Sequence, residues 1–109
     1  ANIGLATLSL LRAFPEARII ALEIEDGNFE MLTRNLAPFP NATPVKAALW
    51  CEDGELEVRD PGEGAWGFRV GAAGDPSGAE GPSPSRRIPA MTVATVMQRY
   101  GAECIDLLK

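Results

Sequence analysis

The sequence predicts an α/β fold: a mostly parallel sheet with helices on both faces, plus a short antiparallel excursion. Three observations carry this expectation. Helical and extended patterns alternate through the first half of the chain, with crossovers long enough for a βαβ unit. Arg18-Ile19-Ile20-Ala21-Leu22-Glu23 is a short apolar run of the kind found in strands buried on both faces. Beyond Trp50 the pattern changes to strict alternation of apolar and charged residues, the mark of a half-buried antiparallel strand.

The elements follow in order. Ile3 to Phe14 reads as a helix, apolar on most sides, with Asn2 as its N-cap and Pro15 as its stop. The run from Arg18 to Glu23 is the first strand. Asp26-Gly27 leads into a second helix from Asn28 to Leu36, with Phe29, Leu32 and Leu36 on one side; Pro38 and Pro40 end it. Thr43 to Trp50 reads as one further strand. Glu52-Asp53-Gly54 is a turn, and Leu56 and Val58 alternate with Glu55, Glu57 and Arg59. Trp66, Phe68 and Val70 alternate again. Gly71 to Arg87, rich in Gly, Pro and Ser, reads as a flexible loop. Ile88 to Met91 is extended. Thr92 caps a helix carrying Val93, Val96, Met97 and Tyr100 on one face, closed by Gly101. Cys104 to Leu108 reads as a last apolar strand.

Composition narrows the function classes. A chain of 109 residues holds at most one domain, and its hydrophobic share of 46% suffices for a packed core. The net charge of −5 argues against nucleic acid as the main partner, because phosphate binding wants a basic face. Arg86-Arg87 is the sole adjacent basic pair and reads as a solvated loop pair. There is no histidine, which removes Ser-His-Asp triads, Cys-His pairs and histidine-based metal sites. Cys51 and Cys104 are isolated and read as reduced thiols. No apolar run approaches the roughly 20 residues of a membrane span. The expectation is a soluble, cytoplasmic protein.

One constellation points to chemistry. Ala1-Asn2-Ile3-Gly4 forms a turn opening a helix, and Glu23 ends the strand that follows, about 20 positions further on. Proteins of this class hold adenosine cofactors in this way. The turn brings backbone N–H groups and a helix N-terminus to the ligand, and the acid accepts hydrogen bonds from ribose hydroxyls.

That turn, Ala21-Leu22-Glu23, the segment Asn28-Phe29-Glu30-Met31-Leu32-Thr33-Arg34-Asn35-Leu36, Ala47-Ala48-Leu49-Trp50, Asp53-Gly54 and Ile105-Asp106-Leu107-Leu108-Lys109 resemble, in order and spacing, the FkbM family of S-adenosylmethionine-dependent methyltransferases. The resemblance spans nearly the whole chain apart from 71–87. It implies a Rossmann-like methyltransferase sheet whose first strand is absent from this chain, so that residues 1–109 are part of a catalytic domain. It also implies methyl transfer from S-adenosylmethionine to a hydroxyl oxygen of a small molecule or sugar. Carried over, Ala1, Asn2 and Gly4 lie beside the methionine part of the cofactor, Glu23 binds the ribose, and Ala48 and Leu49 sit near the adenine. No catalytic base is assigned within the chain.

Two other readings stay open. A nicotinamide-dinucleotide oxidoreductase would share the turn and the acid, but Thr7 and Leu8 stand where its third glycine would fall. A truncated, non-enzymatic binding module is the other.

Overall fold

The computed structural model describes residues 1–59, 69–72 and 86–109. The chain is α/β and divides into two compact units, Ala1–Ala47 and Ala48–Lys109.

The first unit runs α1 (Leu5–Ala13), β1 (Ile19–Glu23), α2 (Asp26–Leu36) and β2 (Ala42–Lys46). Helix α1 starts later than its apolar pattern predicts because Gly4 is left-handed, with φ of 91°, and ends the helical backbone there. Helix α2 starts two residues earlier than Asn28. Glu25 takes the cap position in an extended conformation, and its carboxylate accepts the Asn28 N–H at 2.6 Å.

Strands β1 and β2 pair in parallel, Ile19 opposite Ala42 and Glu23 opposite Lys46. Asn41 secures the start of this pair. Its backbone carbonyl accepts the Ile19 N–H at 2.9 Å, and its side-chain amide donates to the carbonyls of Pro15 and Ala17. Pro44 offers no N–H, which suits a strand with one neighbour among the described residues. Both helices share one core: Leu8 and Leu11 of α1, Ile19 and Ala21 of β1, Phe29, Leu32 and Leu36 of α2, and Ala42 of β2. Leu32 is fully buried. Burying one such leucine side chain contributes about 1.5–3 kcal/mol.

The second unit holds β3 (Ala48–Leu49), β4 (Gly54–Arg59), β5 (Arg69–Ala72), β6 (Arg86–Met91) and α3 (Val93–Tyr100). Its sheet has the order β3-β6-β4-β5, with β3 parallel to β6 and the other pairs antiparallel. Leu56 faces Ile88 across β4 and β6, and both are buried. Pro89 lies where β6 has β4 alone beside it, since β3 reaches no further than Ala90. Helix α3 follows its expected pattern. The Thr92 side chain accepts the Thr95 N–H, and Gly101 closes the helix in the left-handed region at φ 62°.

Several expectations are corrected. Among the described residues the parallel sheet has two strands, and the larger sheet is mixed rather than mostly parallel. Thr43 to Trp50 is not one strand. The Ala47 N–H turns back to the Val45 carbonyl at 3.2 Å, a tight local turn that ends β2, and β3 belongs to the other sheet. Gly71 and Ala72 belong to β5, and Arg86 and Arg87 open β6 rather than a loop; Arg87 pairs with Glu55 at 3.7 Å. The segment Cys104 to Leu108 is irregular, with Ile105, Leu107 and Leu108 exposed, because an apolar run becomes a strand only where a partner edge pairs with it. Trp66, Phe68 and the remainder of the expected loop, 73–85, lie outside the described residues.

Candidate functional site

The site is built at the carboxyl end of β1, where the α1 turn meets the acid. Asn2 is the one described non-glycine residue with positive φ, at 52°; asparagine tolerates this region because its short side chain bonds locally. Here its Oδ1 accepts the Ile3 N–H at 2.6 Å. Asn2 is therefore not the helix N-cap expected of it; Gly4 occupies that position. The Gly4 N–H donates to the Ala1 carbonyl at 3.2 Å, which closes the turn. The Asn35 side chain of α2 donates to the Ile3 carbonyl at 2.8 Å and fixes the turn from below.

Gly4 is required twice over. Its φ disfavours any Cβ, and a Cβ built there would stand 2.8 Å from Cδ1 of Leu32. The close approach at this glycine is thus to α2. The first turn of α1 has no side-chain cap and no acidic residue. Its partial positive charge is available to an anion.

Glu23 is only 8% exposed, and its alternation places it on the same face of β1 as Ile19 and Ala21. Its Oε2 accepts the Asn2 N–H at 2.5 Å and the Ala1 amino group at 3.1 Å, and its Oε1 accepts the Glu25 N–H at 2.9 Å. The Ala1 amino group also donates to the Leu22 carbonyl at 2.6 Å. Burial raises the Glu23 carboxyl, but the donors from Glu25, Ala1 and Asn2 outweigh it and hold the group below its ordinary value. A carboxylate offers about four acceptor positions, and three of those of Glu23 are taken by these donors. The turn, the acid and the uncapped start of α1 lie together in the first unit.

The structure thus brings Ala1, Asn2, Gly4 and Glu23 together in the first unit. Ala48 and Leu49 belong to the second unit, where they pair with Ala90 and Met91 of β6; Ala48 is buried and Leu49 exposed. Asn28 is a first-turn residue of α2, as expected.

Glu25 and Lys46 were not singled out from the sequence, and Asp53 was named only in a turn and in the resembling segment Asp53-Gly54. Glu25 holds Glu23 and caps α2; the spacing Glu25-x-x-Asn28 is a trace of that role. Lys46, opposite Glu23, pairs with Asp26 and lies over the Phe29 ring, 5.7 Å from its centroid. Asp53 in the second unit accepts the Thr92 N–H at 2.7 Å and the Thr95 hydroxyl at 2.6 Å. The Thr95 hydroxyl and the Thr92 N–H hold its carboxyl below the ordinary aspartate value.

Among the described residues, no group of His, Cys, Asp and Glu is arranged to hold a metal ion. Cys51 and Cys104 are free and exposed, and among the described residues no helix is long and apolar enough to cross a membrane. No family model matches the chain, and no curated protein or solved structure matches it.

Proposed function

We propose that the first unit is the adenosine-binding part of a Rossmann-like, S-adenosylmethionine-dependent methyltransferase acting on a hydroxyl of a small molecule or sugar. The observation that carries this reading is the Asn2–Glu23 contact. An acid at the carboxyl end of a parallel strand is bonded to a left-handed turn that enters a helix. In open α/β sheets ligands gather at this end of the strands. The sequence resemblance adds the choice of cofactor.

In this reading S-adenosylmethionine supplies an electrophilic methyl group on its sulfonium. The protein binds and orients. Glu23 accepts a ribose hydroxyl, and the uncapped start of α1 faces the amino-acid carboxylate. The free, exposed cysteines fit a reducing compartment, in keeping with a cytoplasmic enzyme.

Isothermal titration of the full-length protein with S-adenosylmethionine, S-adenosylhomocysteine and NAD tests the reading. Both adenosyl ligands should bind, and Glu23→Gln should weaken them by about tenfold or more, the value of a charge-assisted hydrogen bond. Binding of NAD without either adenosyl ligand would replace the methyltransferase reading with the oxidoreductase one.

A further inference from the structure

We infer that Lys46 is a positioning residue for the Glu23 carboxylate, acting through Asp26 and the first turn of α2. The inference deepens the adenosine-site reading and rests on it for its ligand-binding consequence.

Glu23 and Lys46 end β1 and β2 in register, so their side chains leave the same face of the sheet. Opposite charges so placed would ordinarily pair with one another. Here the Lys46 ammonium instead pairs with Asp26 and lies over the Phe29 ring. It thereby grips α2 at its first residue and at a residue one turn later. Asp26 directly follows Glu25, whose N–H donates to Glu23 Oε1 at 2.9 Å and whose carboxylate accepts the Asn28 N–H at 2.6 Å. One cation thus fixes the short connection from β1 to α2, and that connection aims the carboxylate.

The detour has a chemical consequence. A direct Lys46–Glu23 pair would occupy the acceptor position that a ribose hydroxyl needs. With Lys46 turned to Asp26, the connection is held and the ammonium does not take that position.

The test compares Lys46→Met, Asp26→Asn and Lys46→Arg in the full-length protein by carbon-detected NMR titration of the Glu23 carboxyl without ligand. The charged side chains around it are Glu25, Asp26 and Lys46, and in the full-length protein the Ala1 nitrogen beside it is a peptide N–H. Asp26→Asn decides between two roles. Removing a nearby negative charge would by itself lower the Glu23 midpoint, whereas releasing the Glu25 N–H raises it. Positioning requires that Asp26→Asn and Lys46→Met both raise the midpoint and that Lys46→Arg restore it. A lowered or unmoved midpoint in Asp26→Asn overturns the inference.

A second arm reads the consequence for binding. Lys46→Met should weaken S-adenosylhomocysteine by about threefold to fivefold, the scale of a partly exposed pair, and weaken its 2′-deoxyribose analogue less. Equal weakening of both would overturn a role at the ribose. Should the wild-type protein bind neither, the cofactor reading fails, and the titration arm still decides the role of Lys46.

Discussion

Glu23 is a buried acid held ionised by its neighbours. Burial favours its neutral form, and donors from Glu25, Ala1 and Asn2 reverse that preference. Its folded value therefore lies below the ordinary 4.5, so the unfolded chain binds the proton more readily. The stability this contributes is fully present above pH 4.5 and is lost as pH falls through the folded value. Urea denaturation from pH 7 into the acid range should show this loss in the wild type. Glu23→Gln should be less stable at pH 7 by about 1–3 kcal/mol and should lose much of the acid dependence. The strand-end acid was legible because the apolar run before it marks the strand. Its clamp on Asn2 was not, since the two groups are joined across the fold and neither segment names its partner. Asn2 was misread as a cap because one property, a short side chain that bonds nearby backbone, suits asparagine both to caps and to left-handed turns.

At the scale of elements, α3 is the best-specified piece. Its cap, apolar stripe and closing glycine were all legible, because each acts within a few residues. Thr92 bonds the Thr95 N–H through its side chain, while its own N–H goes to Asp53. Thr92→Ala should cost about 1 kcal/mol, the usual value of a lost cap, and hydrogen exchange should speed up first at the amides of the α3 first turn. Where local pattern failed, the reason was pairing. The apolar segment 104–108 has strand-like composition, yet a strand exists only with a neighbour. The division of Thr43–Trp50 turns on one backbone bond at Ala47, in a stretch with no glycine and no turn motif at that point to mark a break.

For the whole molecule, the α/β class was legible from alternation of periods, while the number of sheets was not. Sheet membership depends on which distant segments meet, and residue pattern along one strand does not encode it. The first unit rests on a small core centred on Leu32. Leu32→Ala should cost about 2–5 kcal/mol, a large part of a small domain's total, whereas Leu108→Ser at an exposed position should stay within about 0.5 kcal/mol. Guanidinium denaturation of the two variants checks both values. The Asn41 amide, finally, joins the starts of the two parallel strands. By tying Pro15 and Ala17 to the start of β2, while the Asn41 carbonyl accepts the Ile19 N–H, it supports the alignment that brings Glu23 opposite Lys46 about 15 Å away along the strands. A slip of one residue there would turn the strand faces over and dissolve the site without touching any of its atoms. Asn41 is thus the ruler of the site: remote from it, outside any ligand's reach, and the residue on which its alignment depends.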